Sequence, residues 1–158
     1  MDSLYKKQYD NFEEFYNIGF NLVNEIKFKT SGMLANDRVN FARQYLIKDI
    51  MNGFTDIGTL SDDAVNILQT SSKILKFSID NLVKNLIIHS DIKYEDYLMI
   101  KLIAKKPSKI VKSKTNYDVL LLKDGKKYYK LVIKTTKNRK ENFVKSFHII
   151  QAERYEKY

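Results

Sequence analysis

Two periods divide the chain. Up to Pro107 the apolar residues recur mostly at helical spacing, and beyond it they tend to alternate with polar ones. Leu4, Phe12, Phe15, Tyr16, Phe20, Val23 and Ile26 fall near a 3.6-residue period, with acids early and Lys27 and Lys29 late, which predicts a helix over 4–28. Thr30-Ser31-Gly32 breaks it. A second helix is expected from Asn36 or Asp37 to about Met51, stopped at Gly53, with Val39, Ala42, Tyr45, Leu46 and Ile50 as its stripe. The two read as a hairpin. Residues 54–60 read as short and turn-rich, and Ser61 as the cap of a short helical turn. Residues 74–79 read as a short strand or extended segment. A helix capped by Asp80 or Ser78 runs to about Ile88, and another spans 94–105, ending before Pro107.

After Pro107, strands are expected over 109–114, 117–123, 126–134 and 143–150. Asp124-Gly125 predicts a two-residue type I′ turn, because that turn needs positive φ at both central residues. It sets Lys123 opposite Lys126 and Tyr128 opposite Leu121. A loop centred near Arg139 sets Lys130 opposite His148 and Val132 opposite Ser146. Residues 151–158 read as a short helix or a frayed tail. The expected fold class is α+β, N-terminal helices followed by a four-stranded antiparallel β-meander. It is organised as a helical hairpin extension over 1–53 and a second domain over 54–158.

Charge sharpens this division. Residues 1–100 hold 11 Lys/Arg against 14 Asp/Glu, whereas residues 101–145 hold 15 against 3. A uniform compositional bias toward lysine does not produce that contrast. A basic field concentrated on a sheet attracts polyanions, so nucleic acid is the expected partner, ahead of a membrane surface or an acidic protein. With no Cys, a disulfide scaffold, a thiolate metal site and a Cys nucleophile are excluded, and with only two His a His-rich metal site is not expected. No cofactor is implied. No apolar run approaches ~18 residues, and residues 1–15 lack the apolar core of a secretory signal. The expected location is cytoplasmic, with delivery into a host or target cell as a variant, and no membrane partner is expected.

Alternation places Tyr128, Lys130, Val132 and Lys134 on one face of their strand, and Val144, Ser146, His148 and Ile150 on one face of the last. A Lys–Ser–His surface with a tyrosine beside it suits RNA cleavage through the 2′-hydroxyl. Histidine moves protons near neutral pH, lysine stabilises phosphate charge without a metal, and tyrosine stacks on a base. The bland alternatives are a half-buried edge histidine and an ordinary solvated lysine face. His89 stands at a predicted helix C-terminus, where the dipole favours its charged form or simply uses it as a cap. The adjacent pairs Asp62-Asp63 and Glu95-Asp96 read as helix starts rather than metal ligands. The aromatic stripe Phe12, Phe15, Tyr16 and Phe20 is core or an oligomer interface of the N-terminal helices.

Four segments in order carry a family resemblance: DIGTLS from Asp56, ILKFSIDNLVKNLIIHSDI from Ile74, EDYLMIKLIAKKPSKIV from Glu95, and YYKLVIKTTKNRKENFVKSFHII from Tyr128. The stretch from about Ile57 to Ile150 resembles the phage-associated nucleases of the barnase, EndoU, colicin D and RelE superfamily. The resemblance implies a metal-independent endoribonuclease, a toxin or phage-encoded enzyme, with an RNA groove on the sheet and an antitoxin or immunity protein as partner. It implies His89, Lys134 and Ser146 as the catalytic set and places Lys84 within the motif. Lys84, Tyr128, Lys130, Arg139 and His148 are the expected nucleic-acid contacts. The alternative is a non-catalytic RNA- or DNA-binding phage accessory or inhibitor protein. Residues 1–53 have no counterpart in the resemblance.

Overall fold

The computed structural model describes residues 7–45, 52–113 and 117–158. The expected first turn at Leu4, the end of the second helix near Met51 and the strand end at Lys114 lie outside them. The elements run β1 (Lys7–Tyr9), α1 (Phe12–Lys29), α2 (Ala35–Tyr45), β2 (Gly53–Thr59), α3 (Asp62–Leu68), β3 (Ile74–Ser78) and α4 (Ile79–Ile88). They continue as α5 (Tyr94–Tyr97), α6 (Met99–Lys105), β4 (Lys109–Val111), β5 (Tyr117–Asp124), β6 (Lys127–Thr135), β7 (Asn142–Ile150) and α7 (Ala152–Glu156).

The fold class needs correction. The sheet is seven-stranded and mixed, in the order β1-β2-β3-β7-β6-β5-β4, not a four-stranded antiparallel meander. Strands β4 to β7 pair antiparallel in succession, whereas β1 joins β2 and β3 joins β7 in parallel. Of the three strands beyond the meander, β3 falls in the segment expected as a short strand or extended, whereas β1 and β2 are unexpected. β1 has three residues. The first three residues of β2 are all buried, so it carries no clean alternation of polar and apolar positions. The helix expected over 4–28 therefore starts only at Phe12, where Asn11 caps it by accepting from the Glu14 N–H at 3.2 Å.

The chain forms two compact units. The first holds the described residues up to Asp56 together with Phe77–Asp91. Thus α4, expected within the segment 54–158, shares a unit with the helices of 1–53. α1 and α2 both contact α4. Phe15, Val23 and Ile26 of α1 are buried, with the Phe15 and Phe77 rings 6.1 Å apart. Gly19 gives α1 its close approach: a Cβ there would stand 2.7 Å from Leu82 Cδ2. Part of the aromatic stripe is thus core, while Phe20 stays 44% exposed and stacks on Tyr16. Ser78 is the N-cap residue of α4, without a side-chain capping bond.

The second unit holds Ile57–Lys76 and Ile92–Tyr158. Ser61 caps α3 as expected, accepting from the Ala64 N–H. The helix expected over 94–105 is two, joined at Leu98. One face of β5, β6 and β7 carries Leu120, Leu122, Tyr129, Leu131, Ile133 and Phe147, all buried. Tyr97 of α5 packs on Phe147 at 5.5 Å, and Tyr129 stacks on it at 5.6 Å.

Two register details depart from expectation. The hairpin turn is Gly125-Lys126, with Asp124 opposite Lys127 and positive φ (59°) at Gly125 alone, the pattern of a type II′ turn. Lys123 therefore faces Tyr128, and Leu121 faces Lys130. The slip is two residues, so every side chain keeps its expected face. In β7 the ladder runs Lys130↔His148 and Val132↔Ser146 as expected, then jumps to Ile133↔Val144, which leaves Lys145 as a bulge. The bulge reverses the faces of the residues before it, so Val144 turns inward and Phe143 joins the side of Lys134.

Candidate nucleic-acid interface

The outer face of β4–β7 belongs entirely to the second unit. Cross-strand pairing sets side by side Tyr117 and Lys134, Val119 and Val132, Leu121 and Lys130, and Lys123 and Tyr128. Across the other edge of β6, His148 stands opposite Lys130 and Ser146 opposite Val132. Tyr128, Lys130, Lys134, Ser146 and His148 thus share one surface, in agreement with the alternation of the sequence. Lys134 is exposed, while Lys130, Ser146 and His148 are half-buried.

The C-terminal segment also lies on this surface. Tyr155 of α7 is buried with Leu121 and Ile150, flanked by Val111, Val119 and Tyr128. Its ring stands 4.8 Å from that of Tyr128. Lys109 Nζ donates to the Tyr155 carbonyl at 3.1 Å and lies 4.2 Å from its ring centroid. Lys130 Nζ lies 5.2 Å from the Tyr158 ring. Burial alone would raise the Tyr158 phenol, but hydrogen bonds and charge from Lys130 and Arg154 bring it below the usual value. At the other end, Lys145 Nζ lies 5.6 Å from the Tyr117 ring.

Sequence reasoning missed Tyr117, Tyr155, Tyr158, Lys109 and Lys145. The last eight residues are mostly polar and read as a short helix or a frayed tail; the helix forms, but nothing local shows that it docks on the sheet. Strict alternation puts Lys145 on the face opposite that of Val144, Ser146 and His148, and nothing in the sequence marks the bulge that turns it outward.

The remaining candidates lie elsewhere. Arg139 occupies the β6–β7 turn with φ 62°. Its Nε donates to Gln69 O, and its carbonyl accepts from the Ser71 N–H at 2.8 Å, tying the turn to the α3–β3 connection. Lys84 and His89 belong to α4 and its C-cap, in the first unit, whereas Lys134 and Ser146 belong to the second. Burial lowers the His89 pKa and nearby Lys84 adds to this, against an opposing pull from Asp91.

Asp96, at the α5 start, accepts from the Lys93 N–H at 3.0 Å, Lys127 Nζ at 3.0 Å and the Tyr129 hydroxyl at 2.8 Å. It serves a helix start and a buried network. Among the described residues no group of three or more His, Cys, Asp or Glu is placed to hold a metal ion, and no helix is long and apolar enough to cross a membrane. Comparison of the chain with protein-family models, with curated proteins and with solved structures finds no match.

Proposed function

We propose that this chain binds RNA on the outer face of β4–β7 and cleaves it without a metal ion. The observation that carries the binding reading is the interleaving on that face of Lys130, Lys134 and Lys145 with Tyr117, Tyr128 and Tyr158. Lysines follow a phosphate backbone by charge, and tyrosines offer rings to bases. An acidic protein partner needs the first and not the second.

Cleavage rests on a narrower observation, the opposition of Lys130 and His148 with Ser146 nearby on the same face. Attack of a 2′-hydroxyl on its own phosphate needs a proton acceptor, a proton donor for the leaving oxygen and a cation for the developing charge. His148 is the candidate proton carrier on this face. Lys134 and Lys130 supply charge, and Ser146 orients the phosphate. A cognate antitoxin or immunity protein is proposed to cover this face. The second reading, binding without cleavage, is favoured by Tyr158 already occupying Lys130.

The test is a labelled single-stranded RNA incubated with the protein in EDTA and followed by both gel and anisotropy. Anisotropy is expected to show affinity falling as salt rises, with a log–log slope of about −0.7 for each phosphate neutralised. Cleavage is expected to drop in Lys134→Ala and His148→Ala. Binding without cleavage by wild type selects the second reading. Absence of any salt-dependent RNA binding removes both.

A further inference from the structure

We infer that Tyr117 and Tyr158 are two base-stacking stations on this face, and that its ligand is a single strand with splayed bases. The inference rests on the RNA-binding reading above. Each ring has ammonium partners on the same surface. Tyr117 stands opposite Lys134 in the ladder, with Lys145 Nζ 5.6 Å from its ring. Tyr158 is 36% exposed, with Lys130 Nζ 5.2 Å from its ring. A base that stacks at either place meets a cation for its neighbouring phosphate.

The spacing selects the ligand. Lys130 and Lys134 stand four residues apart on β6, about 13 Å along the strand. Neighbouring stacked bases are only ~3.4 Å apart. Bases seated at both stations are therefore not stacked on each other. In a duplex, neighbouring pairs cover the faces of each base, whereas a single strand presents them. Between Lys130 and Lys134 the face carries Val132 with Ser146 opposite it, and His148 stands beside Lys130, so a hydroxyl and an imidazole lie along the path of a strand that joins the stations. Tyr155 is not a third station, because it is 6% exposed and its ring is used in docking α7.

The experiment compares a labelled single-stranded RNA with the same RNA annealed to its complement, by anisotropy. Wild type, Tyr117→Ala, Tyr117→Leu, Tyr158→Ala and the two Phe variants are titrated, with circular dichroism to verify folding. Each ring removal is expected to weaken single-strand binding about ten-fold. The Phe variants, which keep the ring, should bind single strands more tightly than the Ala variants, and duplex affinity should not change. Tyr117→Leu keeps an apolar body in β5, so a folding defect in the Ala variant leaves the question answerable. Unchanged single-strand affinity in the ring-removal variants overturns the inference. So does tighter binding by Tyr158→Ala, which makes the C-terminal segment a cover rather than a platform. Loss of affinity in Lys130→Ala/Lys134→Ala without loss in the Tyr variants removes the stations and leaves the RNA reading standing. A wild type that binds no RNA removes both.

Discussion

Asp96 is 4% exposed and accepts three hydrogen bonds, one from a helix N-terminal N–H and two from β6 side chains. Burial works to raise its pKa, but the donors from Lys93, Lys127 and Tyr129 outweigh it and hold the carboxyl below its ordinary value. A depressed carboxyl contributes stability that is present above the unfolded pKa of about 3.9 and lost as pH falls through the folded value. Asp96→Asn is expected to cost about 2 kcal/mol at pH 7, with the gap to wild type closing below the unfolded pKa. Urea unfolding at pH 7 and pH 3 measures both. The Tyr129 phenol is raised well above its ordinary range, by burial first and then by Asp96. Its contribution is present below the unfolded phenol pKa of about 10 and lost as pH rises through the folded value. His89 has the opposite sign to a paired histidine. Its lowered pKa means that the unfolded chain binds the proton better, so stability falls as pH drops through its unfolded value near 6.5. His89→Gln is expected to flatten that limb of an acid titration.

At the scale of elements, close approach and turn geometry make separate demands. Gly19→Ala puts a methyl 2.7 Å from Leu82 Cδ2 and 3.2 Å from its Cγ. The α1–α4 contact must open or Leu82 must move, at about 1–3 kcal/mol, read as a lower urea midpoint. Gly125→Ala meets no atom within 4 Å, so its cost is backbone alone. Positive φ for a Cβ-bearing residue costs about 1 kcal/mol, and Gly125→Asn should recover part of it. Tyr155→Ala removes the ring that holds α7 on Leu121 and Ile150. Its cost is about 3 kcal/mol, and faster protease cleavage after Gln151 reports the release of the helix.

For the molecule as a whole, position on the sheet matters more than net charge. The basic run 101–145 does not all reach one surface. Lys101, Lys105 and Lys106 sit on α6 and its C-cap, and Lys127 pairs with Asp96. Lys109, Lys123, Lys130, Lys134 and Lys145 lie on the outer face, Lys109 being engaged by Tyr155. Removing the three lysines of α6 deletes as much charge as Lys130→Ala/Lys134→Ala/Lys145→Ala. Only the second triple is expected to lower RNA affinity at moderate salt, where long-range fields are screened beyond about 8–10 Å. Anisotropy at matched ionic strength decides; equal losses mean that the RNA reads a diffuse field and not this face.

Sequence alone determined the alternation of β5 and β6, that of β7 from Ser146 onward, and the register Lys130↔His148. A strand's faces follow from a period of two, and a slip by two residues leaves them unchanged. It also determined the Ser61 cap and the buried positions Phe15, Val23 and Ile26 of α1, since these depend on neighbours a few positions away. The strands β1 and β2, and the parallel pairing of β3 with β7, were decided only in the tertiary structure, because their hydrogen-bond partners are remote in sequence, β1 has only three residues and the burial of β2 hides its alternation. The Lys145 bulge, the placing of α7 on the basic face and the entry of Tyr117 and Tyr158 into the candidate site were decided there too. Each depends on which surface a side chain meets across the sheet, and local periodicity carries no record of that.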